Sequence, residues 1–403
     1  MKLEELQLKG KRVLLRVDFN VPLDSNYEVT DDTRISSALP TINYILNQGA
    51  SLILMSHLGR PEKKLKADGT VDREKFTLNH VVSTLSKLLG KTVSFVDDTI
   101  GPIVKSAVAE IKPGDIFVLE NTRFYKEESK GDEAFAKELA SFADVYINDA
   151  FGAAHREHAS TATVARFFAD DTRAYGFLMR SELESAGKLL NNPQKPYVAI
   201  IGGAKVSDKI LLLDKLVDIV DTLIIGGGMA FTLLKSQGAK IGNSLVEDDK
   251  LDLASEFLEK AKSKGVKVLL PEDSVIADKF DNSANIKTVS SFEIPEGWMG
   301  LDIGPKAIEQ FKSTIESSKS ILWNGPMGVF EMSNFALGTM QIANSVATAT
   351  QNGAFSLVGG GDSVSALNQS GNAAFVSHVS TGGGATLEYL QGNILPGVEA
   401  IGF

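Results

Sequence analysis

Two lysines spaced four residues apart follow a pair of glycines in the segment GGAKVSDKI, at residues 202–210. A Gly-Gly turn after a buried strand exposes backbone N–H groups, which bind anions at the start of a helix. Lys205 and Lys209 could both reach one polyphosphate from this turn. The alternative interpretation is a tight strand-to-helix turn that carries two solvated lysines. We favour the polyphosphate site, because glycine-rich turns recur in the second half of the chain.

A second glycine-rich turn, VGGGDS at residues 358–363, ends in Asp362 and Ser363. Its amides could cradle a phosphate, while the Asp362 carboxylate could meet a Mg²⁺ ion bound to that phosphate. Asp or Ser is also common as a helix N-cap, which is the plainer alternative. Three glycine triplets occur at predicted strand-to-helix transitions, at 226–228, 359–361 and 382–384. Turn chemistry alone explains one such triplet more easily than three.

Basic and polar residues in the first half fall at or just beyond the ends of apolar runs. They are Asp18, Asn20, Arg34, His57, Arg60, Arg123, His155 and Arg156. The planar fork of arginine bonds two oxygens at once, which suits a phosphate or a carboxylate. Each of these residues taken singly fits a surface salt bridge. Their repeated placement at one predicted sheet edge indicates a basic pocket for a small anion.

Two motif matches are rejected or left open. The GKT at 90–92 lacks the first glycine of a P-loop, since Leu85 stands there, and we interpret it as a helix C-cap before a strand. The HREH at 155–158 offers two histidines and Glu157 at a spacing that suggests a metal. No third His or Cys is nearby, and phosphate binding by Arg156 and a histidine explains the motif as economically.

Nine short apolar runs that stop at polar or glycine-rich clusters must position these residues. They begin near residues 12, 51, 115, 144, 197, 222, 267, 320 and 354. Segments with helical spacing lie between them, as at 35–49, 77–90, 132–143 and 209–220. This alternation predicts parallel sheets with helices on both faces. The fold class expected is α/β, with two doubly wound parallel-sheet (Rossmann-like) domains joined by a hinge helix.

A chain of 403 residues exceeds what one hydrophobic core usually serves, so two domains are expected. The boundary is placed at residue 180, within a helix that precedes the loop NNPQKP. The net charge of −10 and the pI near 5.2 argue against nucleic-acid and anionic-membrane partners. The absence of cysteine excludes disulfides and thiolate chemistry. The start of the chain lacks the apolar stretch of a secretory signal, so a cytoplasmic location is expected.

Ten ordered motifs resemble one known family. They are RVDFNVP, SHLGRP, ENTRF, INDAFGAAHREHAS, GGAKVSDKI, GGGMAFTLLK, GLDIGP, WNGPMGVFE, GGGDS and STGGGA. From about residue 10 to 390 the chain resembles the phosphoglycerate kinases. The resemblance implies that residues 1–180 bind 3-phosphoglycerate or 1,3-bisphosphoglycerate and that 181–389 bind ATP or ADP with Mg²⁺. It also implies that the tail, 390–403, packs back on the first domain, and that the protein is a monomer.

The resemblance also implies roles for individual residues. Phosphoglycerate binding is implied for Asp18, Phe19, Asn20, Arg34, His57, Leu58, Gly59, Arg60, Arg123 and Arg156. Nucleotide binding is implied for Lys205, Lys209, Gly227, Gly300, Asn324, Glu331, Gly359, Gly360, Gly361, Asp362 and Ser363, with Glu331 on the ribose and Asp362 near Mg²⁺. Catalytic roles are implied for Arg34, Lys209 and Gly383. The family commonly has Thr at the position of Ala153 and Ala at that of Glu157, and Glu157 beside Arg156 could weaken the pull of that arginine on substrate phosphate.

Two other classes of protein share some of these sequence features. A dinucleotide-dependent oxidoreductase also has glycine turns after parallel strands, but no glycine cluster here fits G-x-G-x-x-G with an acidic residue about 20 positions later. A non-enzymatic two-domain solute-binding protein would share a hinge and a cleft. It would have little use for two lysines and a Gly-Gly-Gly-Asp turn in one half of the chain.

Overall fold

The apolar runs of the first half form the strands of one parallel sheet. The computed structural model describes residues 2–402. The strands are β1 (Arg12–Arg16), β2 (Ser51–Met55), β3 (Ser94–Val96), β4 (Ile116–Leu119), β5 (Val145–Asn148) and β6 (Arg173–Tyr175). They lie in the order β3-β4-β2-β1-β5-β6, and every neighbouring pair is parallel.

Helices cover both faces of this sheet, as parallel connections require. They are α1 (Thr33–Asn47), α2 (Arg73–Phe76), α3 (Asn79–Leu89), α4 (Pro102–Ala109), α5 (Lys126–Ser129), α6 (Glu133–Ala140) and α7 (Phe177–Asn191). Side chains of β1 alternate between two cores, with Leu15 in one and Leu14 in the other. Gly90 is the left-handed C-cap of α3, as the sequence interpretation of GKT expects.

The second half repeats the plan with a second parallel sheet in the order β10-β8-β7-β15-β16-β17. Its strands, together with those of the smaller sheets below, are β7 (Tyr197–Ile201), β8 (Thr222–Ile225), β9 (Lys240–Ile241), β10 (Lys267–Leu269), β11 (Asp273–Ala277), β12 (Ile286–Ser290), β13 (Glu293–Ile294), β14 (Met299–Ile303), β15 (Ser320–Asn324), β16 (Phe355–Val358) and β17 (His378–Val379). The helices are α8 (Ile210–Leu216), α9 (Met229–Ser236), α10 (Leu251–Ser263), α11 (Pro305–Glu316), α12 (Leu337–Gln351), α13 (Gly361–Gln369), α14 (Gly384–Leu390) and α15 (Pro396–Glu399).

Two small sheets had no counterpart in the sequence expectations. An antiparallel sheet has the order β12-β11-β14, and β9 pairs with β13 in parallel. Together they lie between the strands β8 and β15 of the main sheet along the chain.

The strand order of each main sheet reverses at one place. The chain runs from β7 outward to β8 and β10, and then returns to β15, β16 and β17 on the other side. The corresponding place in the first sheet lies between β1 and β5. Ligands of open α/β sheets bind at such reversals, beyond the carboxyl ends of the strands. The expected α/β class with two doubly wound parallel-sheet domains is confirmed.

The chain divides into two compact units, Met1–Leu183 with Ile394–Phe403, and Glu184–Asn393. The division along the chain falls inside α7. The C-terminal segment is held in the first unit, where Gly397 N donates to Ala154 O at 2.8 Å and Tyr175 Oη donates to Val398 O at 2.6 Å. Among residues 2–402, no helix combines the length and apolar character needed to span a membrane.

Candidate active site

Three loops of the first sheet, those after β1, β2 and β4, meet around a basic pocket. We define the basic pocket as Asp18, Asn20, Arg34, His57, Arg60 and Arg123. Arg34 Nη1, from the first turn of α1, donates to Asp18 Oδ2 at 2.6 Å. Asn20 Oδ1 accepts from Gly59 N at 2.8 Å, and Arg123 Nη1 donates to Gly59 O at 2.8 Å. The loop that carries Gly59 is therefore clamped between the other two.

Phe19 and Leu58 have buried side chains that belong to the hydrophobic core of the first unit. Phe19 N donates to Ser56 Oγ at 2.9 Å. Leu58 O accepts from Asn121 Nδ2 at 2.8 Å. These two residues shape the loops of the basic pocket through their backbone and packing, so their side chains are not available to a ligand.

His57 is buried and surrounded by positive charge. Burial, followed by the charges of Arg16, Arg123, His158 and Arg34, lowers the pKa of His57 well below its ordinary value. Burial also lowers the pKa of Arg123, and Arg16 contributes in the same direction. The imidazole of His57 is therefore neutral at pH 7, while the arginines supply the positive charge of the basic pocket.

The loop that carries the HREH motif lies near this charge cluster, but its members differ in exposure. Arg156 is exposed, and its Nε donates to His155 Nε2 at 2.8 Å. Burial and the nearby arginines lower the pKa of His158 to about 4. Glu157 pairs with Arg166 at 2.8 Å. The Glu157 carboxylate is thus paired with an arginine other than Arg156.

Four buried polar residues that the sequence analysis did not single out support the basic pocket. They are Arg16, Asn121, Glu128 and Ser160. Asn121 Nδ2 donates to Leu58 O and to Phe76 O, and its Oδ1 accepts from Arg123 N. A signal was present for Arg16, since a charged residue inside the apolar run RVLLRV must find partners when the strand is buried.

Glycines in the second unit allow three loops near the strand-order reversal to touch. A Cβ on Gly202 would lie 1.9 Å from Pro326 O, and one on Gly227 would lie 2.7 Å from Gly203 O. Gly227 also has φ +69°, which side chains rarely tolerate. The loops after β7, β8 and β15 are therefore packed backbone against backbone, and side chains at these positions would separate them.

Lys209 and Lys205 differ in their surroundings. Helix α8 begins at Ile210, so both lysines precede it in the loop after β7. Lys209 is mostly buried, which lowers its pKa, and its Nζ donates to Asn324 Oδ1. Asn324 Nδ2 in turn donates to Gly359 O at 3.0 Å. Lys205 is exposed, so only Lys209 is fixed by contacts within the unit.

The GGGDS turn opens α13 without a side-chain cap. Gly360 is the N-cap residue with φ +92°. Ser363 is buried, and its Oγ accepts from Gly325 N, which ties α13 to the loop after β15. Asp362 is exposed in the first turn, and the charges of Asp362 and Lys209 influence each other. Neither Asp362 nor Ser363 is therefore the N-cap residue of α13, so the N-cap alternative is wrong.

A cavity of about 660 Å³ lies beside these loops in the second unit. Residues expected to bind nucleotide line it, namely Gly227, Gly300, Glu331 and Asp362. A Cβ on Gly300 would lie 2.1 Å from Phe231 Cζ, so glycine is needed for the wall to close. Large apolar residues that the sequence analysis missed also line the cavity, namely Phe231, Leu245, Phe280, Met299 and Met332. Apolar walls with a few polar groups suit a flat organic ring.

Gly383 has φ +52° and is the N-cap residue of α14. Gly382 N donates to Ser380 Oγ at 3.1 Å, and Ser380 Oγ bonds Thr386 Oγ1 at 2.5 Å. A Cβ on Gly359 would lie 3.3 Å from Thr386 Cγ2. The glycine triplet at 382–384 is thus next to the one at 359–361.

The residues present fit a magnesium ion that arrives with a nucleotide. No group of three or more His, Asp or Glu side chains between residues 2 and 402 is arranged to hold a metal by itself. Mg²⁺ is usually bound by one or two carboxylates together with substrate phosphates and water. Asp362, exposed and in the first turn of α13, offers such a single carboxylate.

Comparison with known proteins places these features in a family. A family model described as phosphoglycerate kinase matches residues 3–393. The cytosolic phosphoglycerate kinase of Nicotiana tabacum is 54% identical over 399 residues, which cover 99% of this chain and 97% of that protein. The phosphoglycerate kinase of Moorella thermoacetica is 52% identical over 401 residues, covering 100% and 98%. The solved structure of the phosphoglycerate kinase from Coxiella burnetii has a TM-score of 0.88 at 40% identity, covering 100% and 98%. The chain belongs to the phosphoglycerate kinase family, whose members transfer a phosphoryl group between 1,3-bisphosphoglycerate and ADP.

Proposed function

We propose that this chain catalyses reversible, Mg²⁺-dependent phosphoryl transfer from 1,3-bisphosphoglycerate to ADP, giving 3-phosphoglycerate and ATP, by direct in-line transfer. The first unit binds the phosphoglycerate and the second binds the nucleotide. The observation that supports this division most is a contrast between the units. One has a pocket of arginines and a buried histidine, and the other a glycine-bounded cavity with apolar walls beside Lys209.

The phosphoglycerate site consists of the basic pocket together with Arg156. Asp18 accepts a hydrogen bond from the hydroxyl group of the substrate, and the amide of Asn20 donates one to its carboxyl group. His57, Arg60, Arg123 and Arg156 bind its phosphate. Arginine forks pair with phosphate oxygens two at a time, which supplies both affinity and orientation.

The nucleotide site consists of the cavity and the glycine loops around it. The base lies between the apolar walls and Gly300, and Glu331 accepts hydrogen bonds from the ribose hydroxyls. Lys205 and Lys209, with the amides of Gly359 to Gly361, hold the phosphates at the start of α13, where the helix dipole favours negative charge. Mg²⁺, when bound with the nucleotide near Asp362, neutralises charge on its phosphates.

The reaction requires no general base, because the nucleophile is a carboxylate that is ionised at neutral pH. Catalysis then depends on in-line placement and on positive charge around the transferring group. Arg34 from the first unit, Lys209 from the second and the amides at Gly383 supply that charge. The acyl phosphate is protected from hydrolysis when the two units close on α7 as a hinge and exclude water.

We further propose that the protein works as a monomer in the cytoplasm. The net charge of −10, the absence of cysteine and the lack of a helix long and apolar enough to span a membrane within residues 2–402 support this placement. Relatives named as cytosolic and as chloroplastic both match the chain over 99% of its length.

The test is consumption of MgATP that depends on 3-phosphoglycerate, with the acyl phosphate product drained by a coupled NADH-oxidising dehydrogenase. We expect activity in the wild type and its loss in Lys209→Ala. Lys264→Ala is the matched control, since Lys264 pairs with Asp218 on an exposed surface. Separate titrations with NADH, ADP and 3-phosphoglycerate exclude the other two classes. A wild-type protein that binds NADH and neither of the other ligands would contradict the proposal.

A further inference from the structure

A chain of hydrogen bonds runs through the interior of the first unit and ends at His57. Glu128 Oε1 accepts from Ser160 Oγ at 2.6 Å, and Glu128 Oε2 accepts from Ser160 N at 2.9 Å. Ser160 Oγ accepts from Arg16 Nε at 2.8 Å, and Arg16 Nη2 lies 3.1 Å from His57 Nδ1. Glu128, Ser160 and Arg16 are fully buried, and His57 is 6% exposed.

The direction of every bond in this chain follows from chemistry. Arg16 Nε can only donate, so Ser160 Oγ accepts a hydrogen bond from it. The hydroxyl proton of Ser160 is then directed to Glu128 Oε1. A guanidinium only donates, so His57 Nδ1 must accept from Arg16 Nη2. In a neutral imidazole whose Nδ1 accepts, the single proton is on Nε2.

We propose that Glu128, Ser160 and Arg16 are positioning residues that fix His57 as the Nε2–H tautomer, so that it presents a neutral hydrogen-bond donor to the phosphoglycerate. The inference rests on the proposed function, in which His57 contacts that substrate. Within residues 2–402, His57 Nε2 has no hydrogen-bond partner. It is also not one of the side-chain polar atoms that are both fully buried and unpaired. It is therefore open to a ligand.

The groups that face His57 from other elements reinforce this state. Arg16 lies on β1, Arg34 on α1, Arg123 follows β4 and His158 follows β5 along the chain, and each disfavours a second proton on the ring. Glu128 is the one carboxylate in this chain of hydrogen bonds, and one of its oxygens lies 3.9 Å from His158 Nδ1. Ser160 and Arg16 separate it from His57. Protonation of His57 thus has no anionic partner among these groups.

The consequence is a histidine whose binding contribution does not depend on pH near neutrality. An ordinary imidazole gains charge as the pH falls through about 6.5. His57 instead offers the same neutral donor throughout, and the positive charge for the phosphate comes from arginines. The substrate phosphate itself titrates near pH 6. A test of pH dependence must therefore compare a variant with the wild type at the same pH, so that titration of the substrate cancels.

The first test is nitrogen-15 NMR of the wild-type protein labelled at its five histidines, with His57 assigned from the spectrum of His57→Asn. We expect an Nε2–H tautomer for His57 that stays neutral between pH 5.5 and 8.5. An Nδ1–H tautomer, or a titration near pH 6.5, would overturn the inference. This measurement requires no variant of Glu128, Ser160 or Arg16.

The second test is kinetic. Ser160→Ala removes the acceptor of Arg16 Nε, and we expect the KM for 3-phosphoglycerate to rise about tenfold, on the scale of one weakened charge-assisted hydrogen bond. The kcat and the KM for MgATP should change little. Ser51→Ala is the control, because Ser51 is also buried but begins β2, at the opposite end of the strand from the loop that carries His57. An unchanged KM for 3-phosphoglycerate in Ser160→Ala would count against the proposal.

The third test uses pH. At each pH, the KM for 3-phosphoglycerate of His57→Ala is divided by that of the wild type, so that titration of the substrate cancels. We expect this ratio to exceed one and to stay constant from pH 6 to 8.5. A ratio of one, with kinase activity intact, would overturn the inference and leave phosphoryl transfer standing. A wild type without kinase activity in the coupled assay would instead overturn the proposed function, while the tautomer measurement would still decide the state of His57.

Discussion

Arg34 is a member of the basic pocket for which we also propose a role in the reaction. Its Nη1 holds Asp18 at 2.6 Å, and the side chain is 37% exposed, so its remaining donors can reach a ligand. We expect Arg34→Ala to lose turnover by a factor on the order of 10³ to 10⁵, as for arginines that stabilise phosphoryl transfer elsewhere. The affinity for ADP, measured by calorimetry, should change little. Arg12→Ala is the matched control, because Arg12 also pairs with an aspartate, Asp144, and is also 37% exposed, but it lies at the start of β1. Equal losses in turnover and in ADP affinity would contradict the catalytic role.

Two buried tyrosines form a matched pair for measuring how much an unpaired hydroxyl lowers the free energy of unfolding. Tyr197 Oη is buried without a hydrogen-bond partner within residues 2–402, whereas Tyr146 Oη donates to Ser160 O at 3.0 Å. Both side chains are fully buried. We expect Tyr197→Phe to be neutral or to raise the free energy of unfolding by about 1 kcal/mol, and Tyr146→Phe to lower it by about the same amount. Urea denaturation measures both, and the same sign of change in both variants would refute the argument.

Most candidate residues of the basic pocket could be predicted because they follow a strand end within a recognisable motif; Arg34 instead lies in the first turn of α1. The supporting residues could not. Arg16 and Ser160 are 144 positions apart along the chain, and only the packing of the first unit brings their atoms to 2.8 Å. A serine after HREHA has no distinguishing local pattern, so its partner must be seen in the structure.

Buried aspartates stabilise helices that they do not belong to. Asp149 Oδ1 accepts from Met179 N in α7, Asp273 accepts from Lys306 N and Ala307 N in α11, and Asp302 Oδ2 accepts from Gly338 N in α12. Each carboxylate lies at or near a strand and satisfies N–H groups of a helix first turn. These contacts fix helices to the sheets without a capping residue in the helix's own sequence.

Asp302 also makes stability depend on pH in an unusual direction. Burial raises its pKa to about 7, against an ordinary value near 3.8. Over this window the folded state binds more protons than the unfolded state, so the stabilising effect of the protonated group is lost as the pH rises towards 7, by at most about 1.4 kcal/mol per pH unit. We expect the free energy of unfolding of the wild type to exceed that of Asp302→Asn by an amount that shrinks from pH 5 to 8. A difference independent of pH would rule this out.

The main strands were predictable because buried parallel strands are continuous apolar runs that end at polar residues. All nine runs contain strands of the two main sheets. The small sheets were missed for a physical reason. Strand β12 has four exposed residues among its five, so its sequence IKTVS carries no burial pattern. Strands β3, β6 and β17 were missed because their short sequences, SFV, RAY and HV, form no continuous apolar run, whereas the equally short β10 has the run VLL at 268–270.

The whole molecule has two units, each with its own cores, and α7 contributes to both. Phe177 at its start packs on a core of the first unit, and Ala186 and Leu189 near its end belong to a core of the second. A helix held at both ends transmits rotation between the elements it joins, which is the property that the proposed hinge needs. The kinase reaction in turn needs such a hinge, because its two substrates are assigned to different units.

We therefore expect phosphoglycerate and nucleotide together to compact the protein. In the proposed function, either ligand alone contacts one unit only, and a ligand shifts a conformational equilibrium only by its differential affinity for the two states. Both together gain contacts that the open state lacks. Small-angle scattering should show a smaller radius of gyration with 3-phosphoglycerate and MgADP than with either ligand alone. In Lys209→Ala we expect this difference to shrink, because one of the charges that draw the transferring group is gone. If the radius stayed unchanged in the wild type with both sites saturated, closure about α7 would not be part of the mechanism, and water would have to be excluded within a single unit.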